Sequence, residues 1–501
     1  MAGRRSFTEY VAGRFYNELW GAVEDIIRED GEDLDLRLGK VNTADTIELS
    51  DLTVKHVWTN DLPGMQIEFD VAVEAELEVH ERDYHYDETE TASQWFLVCF
   101  KGDLGNGLED AVITSSQVYS GKRRRENPLD DSLVPVIRPE DLERVADRFL
   151  RDHYGRARLQ PEWVDPIELA EGMGLEVRQV RICGDGSVFG RIFFEDAVTE
   201  IFDGDAESTA TIDVRERTIL VDPTVAFQRN IGALNNTIVH ECVHWVLHRK
   251  AFALERLFNE EASHIGCKVT GGMTGKKKDS TEYMEWQANA LAPRIQMPRE
   301  MFKRRFDALV THFRHETHSY DIIDIIEPII DQLAVDFGVS RMAAKIRLVD
   351  LGYDEAVGAY NYVDGRYVQT HKAMPGFLKP NQTFSVPVQD AAILSKTNKL
   401  LMEVTDAGGY LYVDSHFVIN HPTYVERDIL GNTVLTHYAR NHMEECCLVF
   451  DLSIVSDIGD RYRSECYLNR DKSSTVDFSI TYHDGYQNSS KDKQKKALAK
   501  S

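Results

Sequence analysis

Little in this sequence is basic. Lys and Arg number 57 against 84 Asp and Glu, a formal net charge of −27 over 501 residues. So acidic a surface repels phosphate backbones, and nucleic-acid binding is not expected. Cysteine is sparse and odd in number: seven, at Cys99, Cys183, Cys242, Cys267, Cys446, Cys447 and Cys466. That excludes a disulfide framework and suits a reducing compartment. Long apolar runs are missing too; none approaches the ~18–20 residues of a membrane-spanning helix. Residues 1–27 are charged and amphipathic, without the continuous apolar segment of a signal peptide. The expectation is a cytoplasmic protein with no membrane partner.

What is present is material for several cores. Apolar residues make up 42% of the chain and aromatics 10%, and at roughly 100–200 residues per domain the length predicts two to four domains. Residues 1–121 read as an N-terminal α+β domain. Phe7 to Glu29 has helical apolar spacing, Ile67 to Val79 alternates as a strand with one wet face, and Trp95 to Phe100 is a buried strand candidate. Between those strands, the acid- and Tyr-rich stretch from Glu81 to Glu90 reads as a solvated hairpin or loop. Residues 122–138, opening on the basic run Lys122 to Arg125, read as a solvated linker. Residues 139–355 form the central domain: a helix starting at Pro139, a short one near Pro166, then strand-like pieces at Leu175 to Val180, Ser187 to Phe194 and Thr218 to Val221. Two long helical segments follow, and a helical pair from about Ile322 to Val349. Residues 356–486 are strand-rich, a C-terminal β-rich domain suited to sensing or substrate binding, and 487–501 form a polar tail expected to be disordered.

The chemistry concentrates in Asn235 to Arg249. Ile238, Val239, Cys242, Val243, Val246 and Leu247 give this stretch strong helical burial, and Asn235, Asn236 or Thr237 can supply a capping side chain. Within it lies His240-Glu241-Cys242-Val243-His244. Residues four apart share one helix face, so His240 and His244 can direct two imidazoles at one zinc ion. Glu241 then sits beside the metal, placed to take a proton from water and pass it to a leaving amine. A third histidine of the metzincin kind is excluded, because Leu247 and Lys250 stand where that pattern needs Gly and His. His248 lies a further ~6 Å along the helix, too far to share the zinc, and reads as a residue behind the ligands or on the surface. A carboxylate from a later helix fits better. In the helical run Ser280 to Ala292, Glu285 can complete the set His240, His244, Glu285, while Asn289 can accept a hydrogen from the far nitrogen of a ligating His.

These residues carry a resemblance. His240 to His248, then Glu285-Trp286-Gln287-Ala288-Asn289 and Ile295 to Pro298, resemble the ImmA/IrrE family of metallo-endopeptidases, with its HExxH, later ExxAN and Met-Pro. The similarity spans roughly Pro139 to Tyr353. It implies zinc on His240, His244 and Glu285, Glu241 as catalytic base, and a protein substrate of the kind the family cleaves, a DNA-binding transcriptional repressor, often in mobile elements. Two positions depart from the pattern: Cys242 replaces the usual Leu, and Ala292-Pro293-Arg294 replaces a Leu-rich run. The expected fold is α+β multidomain, with a zincin-like, gluzincin-type central domain built on the HExxH helix. The expected function is zinc-dependent endopeptidase. The alternative is a non-proteolytic zinc-containing sensor or scaffold.

Weaker signals read as structural. Leu333 to Leu351 has helix-turn-helix spacing, with Arg341, Lys345 and Arg347 on its second helix, but the net charge argues against DNA. His437, His442, Cys446, Cys447 and Cys466 match no zinc spacing, and neighbouring cysteines on a strand point to opposite sides. Cys183 reads as a turn residue. Tyr283, His264 and Tyr320 are open candidates for stabilising an oxyanion.

Overall fold

The computed structural model describes residues 6–481, apart from short interruptions and the stretches 259–263, 269–279, 456–460 and 463–474. The expected disordered tail, 487–501, and Cys466 lie outside the described residues.

The chain opens with two helices, α1 (Phe7–Arg14) and α2 (Tyr16–Asp30). The sequence period suggests one helix, but Phe15 leaves helical geometry (φ −107°, ψ 16°) and buries its ring. Both helices lie on a five-stranded antiparallel sheet in the order β4 (Val112–Val118), β3 (Tyr86–Asp103), β2 (Gln66–Asp83), β1 (Thr46–Asp61), β5 (Pro128–Leu129). Phe7, Val11, Phe15 and Leu19 meet Phe69, Val71, Val98 and Phe100 in its core. Strand pairing between β2 and β3 continues to Asp83 and Tyr86, so the described part of the acidic stretch is paired strand. The expected solvated linker differs most. Asn60 and Thr59 pair with Pro128 and Leu129, and Leu133 and Val134 are fully buried. Apolar residues close the sheet edge there, and the basic run that suggested a linker ends before them.

The central part begins with α3 (Leu142–His153), entered through a Pro139 turn, and α4 (Pro166–Gly172), capped by Asp165. Strands β6 (Glu176–Gln179), β7 (Val188–Phe193), β8 (Ala197–Asp203), β9 (Ser208–Val214) and β10 (Thr218–Val221) follow. The β8–β9 hairpin has no counterpart in the sequence reading; its outward residues, such as Val198 and Glu200, blur its period. After α5 (Thr224–Gln228) come α6 (Ile231–Leu247), α7 (Arg249–Phe258), β11 (His264–Lys268) and α8 (Ser280–Gln296). The sheet order is β11-β7-β10-β6, parallel only between β10 and β6. Ile238, Val239, Cys242 and Val243 of α6 pack with Ile192, Ile219 and Val221 of the sheet and with Ala288, Leu291 and Ile295 of α8.

Three helices complete this part: α9 (Arg299–Thr317), α10 (Ile322–Asp336) and α11 (Arg341–Asp350). Gly338 turns between the last two at φ +62°, a left-handed geometry glycine adopts freely. The basic residues of α11 do not form a DNA-facing row. Arg347 is buried, with Nη2 donating to Glu143 at 2.9 Å and Nε to the Met297 carbonyl at 3.1 Å. Lys345 donates to Ala359 and Asn361. Beyond residue 356 short two-stranded ribbons, among them Tyr410–Val413 with His416–Ile419, surround a core of Phe384, Phe417, Val418 and Phe450. Cys446 ends a short helix rather than lying in a strand, so it and Cys447 bring their buried sulfurs to 3.7 Å. Among the described residues these thiols share no site with His437, which pairs with Asp321 and Asp324, or His442, which faces Glu444 and Glu445. No helix among the described residues is long and apolar enough to cross a membrane.

Candidate metal centre

Helix α6 starts earlier than its sequence suggests. Asn230, not Asn235 to Thr237, caps it by accepting from the Ala233 N–H at 2.9 Å. Asn235 instead donates to the Gly338 carbonyl at 2.7 Å, tying α6 to the α10–α11 turn, and Thr237 donates to Ala233 O inside the helix. The extra turn at the start places His240, Glu241 and His244 in the middle of a fully packed helix, where all three are buried.

Helix α8 crosses α6 and delivers Glu285. His240 Nε2 and His244 Nε2 lie 3.0 Å apart, and Glu285 places Oε2 3.3 Å from the first and Oε1 3.4 Å from the second. A tetrahedral zinc with bonds of ~2.0–2.1 Å has ligand–ligand edges of about 3.3 Å, so each imidazole already stands at about zinc-ligand spacing from the other and from the Glu285 carboxylate. Both carboxylate oxygens of Glu285 are buried and face the two imidazole Nε2 atoms at 3.3 and 3.4 Å. A buried anion is costly, and a cation between these atoms would compensate it. The residues fit a divalent metal. Burial alone would raise the Glu285 pKa, but the two imidazoles against it prevail and hold it down to about 2.

Glu241 faces the strand β7. Its oxygens are buried, and burial, with the nearby Glu285 carboxylate, pushes its pKa well above the ordinary value, against the opposing main-chain hydrogen bond from Ile192. That is the direction a general base needs to work near neutrality. The space it occupies exists because residue 190 is glycine: a Cβ there would stand 2.6 Å from Glu241 Oε1 and 2.7 Å from Thr237 Cγ2. Arg191 follows on β7, its guanidinium donating to Thr199 Oγ1 at 2.6 Å and lowering the Glu241 pKa from a distance. In the sequence, Gly190 carries no signal except a glycine inside a strand, a sign of close approach.

Behind the ligands, two expectations separate. His248 is fully buried: its Nδ1 lies 2.8 Å from His244 Nδ1 and its Nε2 3.0 Å from Gln287 Oε1. Burial, with the neighbouring His244, keeps its pKa well below the usual value. Asn289 does not join it. That side chain is exposed, because the buried stripe of α8 runs Glu285, Ala288, Leu291, Ile295 and turns away from position 289. Gln287 takes the place behind the histidines. Of the oxyanion candidates, Tyr283 engages the main chain of Ile137 with its hydroxyl (2.8 and 3.0 Å) and Tyr320 is 85% exposed; the side chain of His264 lies outside the described residues. Cys183 accepts from the Val188 N–H at 3.3 Å, as a turn residue does.

Two buried imidazoles and a carboxylate converge from crossed helices, with a second carboxylate beside them, and the three could hold a metal ion. Residues 233–349 match the family model Peptidase_M78, the IrrE N-terminal-like domain, so this central segment carries a domain of that peptidase family. No curated protein matches the chain. Among solved structures, one described as an Ntf2 like protein involved in plasmid conjugation is 12% identical, covering 35% of this chain and 76% of its own, with a TM-score of 0.10; so low a score carries no argument.

Proposed function

We propose that the chain is a zinc-dependent endopeptidase acting on a protein substrate, with His240, His244 and Glu285 as ligands and Glu241 as general base. The observation that carries this reading is the convergence of three buried side chains, with the two Nε2 atoms 3.0 Å apart and each within 3.4 Å of one oxygen of the Glu285 carboxylate. Zinc held there supplies Lewis acidity to water and to a peptide carbonyl. The three ligands stand in a preformed arrangement, and Glu241 takes a proton from the attacking water and hands it to the departing amine. The segment Ala292-Pro293-Arg294 keeps α8 helical past the site, with Met297 N–H donating to Pro293 O at 3.0 Å. A DNA-binding repressor as substrate is part of this proposal and rests on the family likeness; a cytoplasmic setting is part of it and rests on the sparse, odd-numbered cysteines.

The burial of the whole centre favours a second reading, a structural zinc in a sensor or scaffold. Such a site fills its fourth position with protein. Among the described residues only three such groups, His240, His244 and Glu285, converge, which supports an open position and the catalytic reading. The test is Glu241→Gln in the full chain, with zinc content and cleavage of a co-expressed candidate repressor both measured. The expected result is wild-type zinc and no cleavage; undiminished cleavage would remove Glu241 as the base, and absence of zinc from the wild-type protein would remove the centre.

A further inference from the structure

Between the central helices and the C-terminal part lies a cavity of about 300 Å³, at the lower end of the ~300–1,000 Å³ range of small-molecule sites. One wall is α11, where Met342, Ile346 and Val349 recur at helical spacing and remain half-buried. Phe377, Leu378 and Phe384 line it from the C-terminal part. Met374 also lines it while 60% exposed, so the space is reached from solvent.

The walls are held without an occupant. Gly358 lies so close to the main chain of His371 that a Cβ would stand 1.7 Å from the His371 carbonyl oxygen. The Lys372 N–H donates to Arg440 O at 2.8 Å and the Met374 N–H to Glu444 Oε2 at 3.1 Å. Gln382 Nε2 donates to Asp451 Oδ1 at 2.6 Å. The cavity is preformed.

Charge gives the occupant its sign. Lys345, Lys372 and Lys379 line the cavity together with Asp350 and Asp354, an excess of cations in a molecule of net charge −27. Lys345 places its ammonium on Ala359 O at 2.6 Å and Asn361 Oδ1 at 2.9 Å, and Asp350 faces Arg294 at 3.3 Å. Burial keeps His371 neutral. That leaves Asp354 on the helical side and, on the C-terminal side, Lys372 and Lys379, with which no carboxylate pairs among the described residues. An anion at the lysine side is attracted and a cation there is repelled.

We infer that this cavity binds a small amphipathic acid, a carboxylate whose apolar body lies between α11 and Phe377 and whose acid group reaches Lys372 and Lys379. The site is independent of the proposed metal centre, since none of its lining residues is a ligand or the base. A ligand touching both walls stabilises the folded chain by mass action.

The test uses the full-length protein and three probes of equal carbon chain: octanoate, octanol and octylammonium. Binding at neutral pH is read by displacement of anilinonaphthalene sulfonate and by the shift in melting temperature. Octanoate is expected to bind saturably, one per chain, and to raise the melting temperature; octanol is expected to bind about tenfold more weakly and octylammonium more weakly still. The double variant Lys372→Ala/Lys379→Ala should lose about tenfold in octanoate affinity and keep that for octanol. Ile346→Trp, which fills the space, should abolish binding of both. No saturable binding of octanoate by wild type overturns the site. Octanol binding as tightly as octanoate, or the lysine variant holding octanoate within twofold of wild type, overturns the acid as its ligand. The lysine variant changes only side chains that are half-buried or exposed, so it decides the question even if Ile346→Trp does not fold.

Discussion

A single methyl group is the smallest probe of how Glu241 is held. At Gly190 it would meet Glu241 Oε1 at 2.6 Å and Thr237 Cγ2 at 2.7 Å, closer than carbon and oxygen tolerate. The carboxylate can swing and Thr237 cannot easily follow, being bonded to Ala233 O within α6. Gly190→Ala should therefore displace the base while leaving His240, His244 and Glu285 in place. Overpacking of this kind costs typically ~1–3 kcal/mol. The expected outcome is at least a tenfold loss of cleavage with zinc stoichiometry unchanged; zinc content and turnover measured on the same preparation check it. A variant that cleaves normally would mean that Glu241 is not where the base is needed. The residue scale also shows what spacing can reveal. His240, Glu241 and His244 are legible because i,i+4 geometry is local and α6 obeys it. Glu285 is legible only once a third ligand is required, and Asn289 misleads because the same i,i+4 rule says nothing about which way a helix rolls against its neighbour.

Helices carry the next lesson through Arg347. In sequence, α11 presents Arg341, Lys345 and Arg347 as a basic face after a Gly turn, the look of a DNA-reading helix. Charge is visible in a sequence and orientation is not. The structure turns Arg347 inward, 2% exposed at its side chain, onto Glu143 of α3 and onto the Met297 carbonyl just beyond α8. The helix carrying Glu285 is thereby braced at its far end. Removing one member of a buried pair leaves the other charge uncompensated, typically at 3–5 kcal/mol. Glu143 is 30% exposed, which places Glu143→Ala at the low end, about 3 kcal/mol. Arg347→Met should cost less, because Glu143 keeps Arg294 at 3.3 Å. Urea unfolding of both variants checks the order; Arg347→Met proving the more damaging would show that the bond to Met297, not the ion pair, braces the helices. By the same reasoning the β5 strand was hidden: two residues, Pro128 and Leu129, are too short a run to register as a strand until β1 lies beside them.

At the scale of the molecule, separately built cores are joined by few, specific contacts. Helix α7 sends Leu254 into the N-terminal core, and Lys250 pairs with Asp61 and donates to Leu62 O at 2.5 Å. On the other side Glu327 of α10 accepts from Thr370 Oγ1 at 2.8 Å and from the Tyr360 N–H at 3.0 Å, which ties the central helices to the C-terminal part. Next to Thr370 stands His371, buried, its Nδ1 3.0 Å from Gln369 O and its ring 4.8 Å from that of His416. Burial pushes the His371 pKa down to about 4, and His416 is depressed in the same direction. The native state thus keeps His371 neutral where the unfolded chain, with a pKa near 6.5, binds a proton. Its contribution is fully present above pH about 6.5 and is lost as pH falls toward 4, amounting to roughly 3 kcal/mol at the acid end. Replacing the ring by an amide that cannot titrate removes the difference. Denaturant unfolding of wild type and His371→Gln between pH 7 and pH 4.5 is therefore expected to show a steeper loss of stability in wild type, with the two curves converging as pH falls. Parallel curves would place the acid sensitivity elsewhere and leave this histidine an ordinary packing residue of the C-terminal core.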